Sequence, residues 1–170
     1  YDPDAAKALL AEAGYPDGFT LNMMSTPAFQ TTFDLVAQQL SDIGITVKYT
    51  DPGASNFITD MLAPKYPATW MALEQNPDWQ LINFMIAPNA TFNPFKYQDD
   101  TVDGYIETIQ FGTEEESTAA LKELNAYIVD QAWFAPFYRV QGSFAVDANT
   151  NLEFWPTNAY PSIFDFSPKN

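Results

Sequence analysis

The sequence has no cysteine and no histidine, and its 7 lysines and arginines stand against 22 acids. Without cysteine there is no thiolate nucleophile, disulfide framework or thiolate-bound metal. Without histidine there is no imidazole base, no catalytic triad and no His-ligated zinc. The scattered bases and the net charge of −15 oppose binding to phosphate backbones, so no nucleic-acid partner is expected. No run of apolar residues approaches the length of a membrane span, and the N-terminus has neither a basic region nor a hydrophobic one to act as a signal. Starting at Tyr1 without methionine and entering a helix signal at once, the chain reads as a processed product or an excised domain.

What is present is apolar enough to fold: 46% hydrophobic and 16% aromatic residues in 170 exceed what an acidic disordered segment carries. Asp2-Pro3-Asp4 marks a helix start, with Leu9, Leu10 and Ala13 as its apolar stripe and Gly14 as its stop. Phe19 to Met23 alternates at period two, as a strand does. Phe29, Phe33, Val36, Leu40 and Ile43 step by four and three, which places them on one helical face ending at Gly44. Ile45 to Tyr49 is a second strand. Ser55 is expected to cap a third helix carrying Phe57, Ile58, Met61 and Leu62, and Thr69 to Leu73 reads as a third strand. Helices alternating with short strands predict an α/β layer with mainly parallel pairing.

From Asn76 to Asp100 the pattern gives way to Pro, Asn and aromatic residues, and a loop-rich segment is expected there. Asp100 is expected to cap a helix with Val102, Tyr105, Ile106 and Ile109 inward. Thr113 and Glu116 have capping-box spacing before a longer helix through Leu121, Leu124, Ile128 and Ala132. Phe137 to Val140 reads as a strand. Beyond Asp147 the aromatic residues Phe154, Trp155, Tyr160, Phe164 and Phe166 alternate with prolines in a tail that must lie on something else.

Three catalytic or modification signals are weak. Asp99, Asp103 and Gly104 have partial calcium-loop spacing, but Thr101 and Gln110 occupy positions where such a loop needs oxygen-rich ligands, Gln110 lacking the bidentate carboxylate. The nine acids between Asp99 and Asp130 are better read as a solvated face that favours helix N-termini. Glu74, Asp78 and Asp165 are the candidates for a carboxylate glycosidase, which would need two of them about 5–9.5 Å apart. Asn89-Ala90-Thr91 fits a glycosylation triplet, a common chance match. The densest aromatic region, Trp70, Trp79, Phe84, Phe92, Phe95 and Tyr97, suits either core packing or a cleft for a peptide or sugar.

The run YDPDAAKALLAEAGYPDGF at positions 1–19 resembles a segment of the extracellular solute-binding proteins of the peptide- and nickel-binding type (family 5), receptors of ABC importers. Gln39-Leu40 with Ile43-Gly44-Ile45 is similar to that family's helix-to-strand junction. Asn93, Tyr97 and Asp103 follow its N…Y…D stretch, and Ala135 to Tyr138 its late strand. The resemblance implies a periplasmic-binding-protein-like (type II, clam-shell) α/β lobe with a mainly parallel sheet flanked by helices. Residues 1–145 would be the carboxy-terminal lobe, and residues 146–170 a tail packing back toward an amino-terminal lobe that this sequence lacks. Also implied are a small solute held between lobes, oligopeptide or oligosaccharide, delivery to ABC permease subunits, an extracytoplasmic location, no cofactor and no catalysis. Trp70 would stack on the ligand, Met71 would offer backbone groups, and Glu74, Asn93, Tyr138 and Arg139 would hydrogen-bond or pair with charge. Leu73 stands where many members have Asp, and Asn76-Pro77 replaces Asp-Pro, a pattern that fits a neutral ligand equally well.

Overall fold

The computed structural model describes residues 1–73, 76–139, 143–153 and 160–169. The chain divides into two compact units, Tyr1–Ala72 and Leu73–Asn170, and each is described by itself.

The first unit opens with α1 (Pro3–Glu12), where the Asp2 carboxylate accepts the Ala5 N–H at 3.0 Å and Pro3 takes the first helical turn. The capping follows the sequence signal, but the apolar stripe does not bury: Leu9 is 65% exposed and Ala13 is exposed, while Leu10 is half-buried. The spacing is helical, yet this unit supplies nothing that covers that face. Strand β1 (Phe19–Met24) and strand β2 (Ile45–Thr50) pair in parallel, from Phe19 opposite Ile45 to Met24 opposite Thr50. Parallel neighbours need a crossover, and α2 (Gln30–Ser41) supplies it after a 3₁₀ turn at Pro27–Phe29. Phe33 is buried, with Phe29, Val36, Leu40 and Ile43 half-buried beside it, as their spacing predicts. With Met24, Ile45 and Met61 it forms the core of this unit.

Two expectations fail here. Ser55 does not cap α3 (Phe57–Leu62); the cap position is Asn56, whose side-chain Nδ2 donates to Pro52 O at 3.1 Å instead of capping the helix. That amide is spent on closing the preceding turn. The third strand reduces to one parallel bridge, Met23 with Ala68, and Thr69 to Leu73 forms no ladder among the described residues. Pro67 before Ala68 has no N–H to donate, which limits pairing at that end. The bridge still fixes the order β2, β1, Ala68, so β1 is central.

The second unit is built on the hairpin of α5 (Asp100–Phe111) and α6 (Glu114–Asp130). Ile82, Val102, Leu124 and Ile128 form its core. The cap of α5 is Asp99, one residue before the expected Asp100: its Oδ1 accepts the Thr101 and Val102 amides at 2.9 and 3.2 Å. The expected capping box of α6 is present, with the Thr113 N–H donating to Glu116 Oε2 at 2.8 Å and the Glu116 N–H to Thr113 Oγ1 at 3.3 Å. Ala132 is exposed past the helix end at φ 52°, not inward. The expected loop between Asn76 and Asp100 contains α4 (Asp78–Leu81) running into a π-helical turn, Ile82–Ile86. A π turn breaks the 3.6-residue period that reveals a helix in sequence. Phe137, Tyr138 and Arg139 are exposed and carry no strand pairing among the described residues, Val140 lying outside them. Of the tail, β3 (Thr150–Leu152) and β4 (Phe166–Pro168) pair antiparallel, while Phe154 and Trp155 lie outside the described residues. No helix among the described residues is long and apolar enough to cross a membrane.

The start of the parallel pair depends on Gly18 and Gly44. A Cβ on Gly18 would sit 1.9 Å from Gly44 O, and Gly18 has φ +75°. Gly14 is also left-handed, at φ +89°, but a Cβ there would meet nothing within 4 Å. Gly14→Ala is therefore expected to cost only backbone strain, about 1–2 kcal/mol. Gly18→Ala adds a backbone clash and should cost clearly more, about 3 kcal/mol or above. Urea unfolding of both variants checks the difference, and equal losses would contradict it.

Candidate functional site

In open parallel α/β sheets the carboxyl ends of the strands face a crevice where the strand order reverses. In the first unit the chain passes from β1 to β2 on one side and then returns to the other side of β1 at Ala68. The reversal falls between β1 and Ala68. Two residues beyond the Met23–Ala68 bridge stand Ser25 and Trp70, at the same carboxyl edge. The 3₁₀ turn that leaves β1 carries Phe29, whose ring centroid lies 5.9 Å from that of Trp70. Phe33 meets Trp70 edge-on at 6.3 Å and Tyr49 at 5.1 Å, and the Tyr49 hydroxyl donates to Phe33 O at 2.8 Å. Burial, then the charge of Asp34, holds the Tyr49 hydroxyl above its ordinary range. The half-buried Trp70 is thus seated on a packed aromatic stack, and Met71 beside it is also half-buried. A ring fixed in this way offers stacking area at little entropic cost.

Ser25 is 8% exposed, a buried polar residue in this core, and its N–H donates to Thr50 O at 3.0 Å. Ser25 and Phe29 were not legible as candidate site residues, because recognising them requires the strand order. A serine at the end of a period-two run is otherwise unremarked in sequence.

Of the other expected site residues, Glu74 lies outside the described residues, and Asn93, Tyr138 and Arg139 belong to the second unit. The Asn93 amide clasps its own loop: Nδ2 donates to Tyr97 O at 2.9 Å and Ala87 O at 3.3 Å, and Oδ1 accepts the Tyr97 N–H at 3.0 Å. Its two amide hydrogens are used there, which leaves one oxygen lone pair for anything else. The clasp allows Lys96 its φ of 50° and sets Tyr97 edge-on to Trp133 at 5.1 Å. Phe84 packs edge-on to Phe92, so both serve packing. Tyr138 and Arg139 are exposed. Of the glycosidase candidates, Asp165 accepts the Ser162 N–H at 2.6 Å in a local capping box, and Asp78 begins α4.

This is the carboxyl edge of a parallel α/β unit. Residues 1–105 match the bacterial extracellular solute-binding proteins, family 5 (middle region), and the chain belongs to that family. It is 31% identical over 117 residues to the glutathione-binding protein GsiB of Pectobacterium atrosepticum, covering 61% of this chain and 23% of that protein. It is 28% identical over 120 residues to the protein of the same name from Escherichia coli K12, covering 62% and 23%. Among solved structures it is similar to AgaA of A. tumefacien R10 in complex with agropinic acid, at 27% identity and TM-score 0.62 over 75% of this chain and 27% of that one. The fold is shared with the periplasmic binding protein DppA of Helicobacter pylori in complex with the peptide STSA, at 24% identity and TM-score 0.65, covering 78% and 28%. The periplasmic-binding-protein-like α/β fold is therefore the one expected, and the chain spans about a quarter of the length of these relatives.

Asp99 ties the second unit together beyond its cap, since Tyr127 O–H of α6 donates to its Oδ2 at 2.8 Å. That bond, ahead of the backbone amides, holds the Asp99 carboxyl below the ordinary carboxylate range. A lowered folded-state value means the folded protein binds fewer protons than the unfolded one. The stabilisation is complete above the unfolded carboxylate range, near pH 4, and is lost as pH falls through the lower folded value. The gap in Tm between the wild type and Asp99→Asn should be widest near pH 6 and should close toward pH 3. A gap independent of pH would contradict this role.

Proposed function

We propose that the protein is the substrate-binding component of an ABC-type importer, which captures an oligopeptide or similar solute and delivers it to permease subunits. The observation that carries this reading is membership of the solute-binding family over the very residues, 1–105, that build the Trp70 edge. On this reading the chain is part of a two-lobed receptor whose remaining lobe supplies the other wall of the cleft. Residues 1–145 form one lobe, and residues 146–170 pack back toward the other. Hinge closure on the solute would create the form that a permease recognises. Glutathione, the ligand in the names of the relatives, is itself a short peptide derivative, and agropinic acid in a solved neighbour supports a wider range of small polar solutes.

Trp70 would stack on the solute, and Met71 would offer backbone groups. Glu74, Asn93, Tyr138 and Arg139 would contribute polar contacts. The protein would act outside the cytoplasm and would turn nothing over, since holding and releasing a solute requires no nucleophile, general base or cofactor. One wall of a cleft buries too little ligand surface for tight binding, so affinity belongs to the full-length receptor.

Native mass spectrometry of the full-length receptor, purified under mild conditions, should reveal a retained small solute. Trp70→Phe should then weaken binding of that solute about three- to tenfold, and Trp70→Ala more than tenfold. Hydrolysis of the solute by the pure protein, dependent on Glu74 or Asp78, would overturn the receptor reading.

A further inference from the structure

Trp70 is supported from the far side of the sheet. Tyr49 on β2 stands opposite Met23 on β1, and Met23 bridges to Ala68 on the other side. These three residues form one row across the sheet, and Trp70 lies two residues past the Ala68 end of it. Strands two places apart are separated by about 10 Å, so a ring lying over β1 is placed to touch both sides. Phe33 is that ring. Its centroid is 5.1 Å from that of Tyr49 and 6.3 Å from that of Trp70, and the residue is only 1% exposed. In an interior packed this closely, a shift at one neighbour is passed to the other.

The backbone that carries Phe33 belongs to the first turn of α2, and that turn has no side-chain cap, because Phe29 occupies the cap position. The Tyr49 hydroxyl donates to Phe33 O at 2.8 Å and so ties the helix start to β2. A carbonyl oxygen has two lone pairs, and this bond is therefore added to the helical one and not exchanged for it. Ring packing is non-directional, whereas a hydrogen bond fixes a distance and an angle. The hydroxyl thus sets where along the sheet the Phe33 ring stands.

Resting on the receptor reading, we propose that Tyr49 is a positioning residue for solute binding, acting through Phe33 on the orientation of Trp70. Tyr49 itself touches no solute. It raises affinity by ordering the Trp70 ring before the solute arrives, so that less side-chain freedom is lost on association.

Isothermal titration of the full-length receptor, with the solute that native mass spectrometry finds on it, tests this in a double-mutant cycle. Tyr49→Phe keeps the ring and removes only the hydroxyl, and it should weaken binding about three- to tenfold, the loss of one hydrogen bond. In a Trp70→Ala background the same substitution should change affinity by less than about twofold, because the ring it positions is gone. A purely structural role gives the same loss in both backgrounds. That result, or Tyr49→Phe binding as wild type does, would overturn the proposal while leaving the receptor reading intact. If Tyr49→Phe does not fold, Phe33→Leu decides, since it keeps the carbonyl acceptor and removes the ring between Tyr49 and Trp70. Its loss should likewise vanish without Trp70, and a loss that persists there overturns the proposal. Trp70→Ala binding as tightly as wild type would remove Trp70 from the site and the proposal with it. Absence of any bindable solute would remove the receptor reading as well.

Discussion

The parallel pair of β1 and β2 begins where the backbones of Gly18 and Gly44 approach too closely for a side chain on Gly18. Both glycines have positive φ, a conformation that a side chain would resist. Their contact sets Phe19 opposite Ile45, and from that register follows Met24 opposite Thr50 at the far end. A slip of one residue would turn buried Met24 and Ile45 away from the core. It would also move Ser25 out of reach of Thr50 O. The position of the carboxyl edge is thus fixed six residues away, by a contact that involves no side chain.

At that edge the constraint positions an aromatic side chain. Trp70 is positioned from three directions, by the bridge at Ala68 and by the rings of Phe29 and Phe33. Phe33 is itself held by burial and by the Tyr49 bond to its carbonyl. The aromatic richness of the sequence therefore has two uses in this unit: most rings pack on one another, and that packing fixes Trp70 at the carboxyl edge. In the second unit aromatic residues and Asn93 are spent on loop geometry, and Asp99 joins the start of α5 to α6.

Much of the fold was legible. Periodicity placed α1, β1, α2, β2 and the α5–α6 hairpin, because each has an uninterrupted pattern bounded by Gly, Asp or a capping box. The failures have separate physical causes. The π turn at Ile82–Ile86 hides a helix from a 3.6-residue search, and the ladder expected at Thr69 to Leu73 shrinks to Ala68 beside Pro67. At Asp99 and Asp100 two adjacent acids were equally good caps by type, and only the backbone distinguishes them. The candidate site was partly legible: an aromatic at the end of an α/β segment marks Trp70, whereas Ser25 and Phe29 become visible only once strand order is known.

The account turns on a solute seated at the carboxyl edge of the first unit. Hydrogen–deuterium exchange of the full-length receptor with and without its solute tests that placement directly. Amides in Ser25–Thr32 and Thr69–Ala72 should gain protection when solute is bound, with α1 unchanged. Protection that leaves both segments untouched would contradict the account.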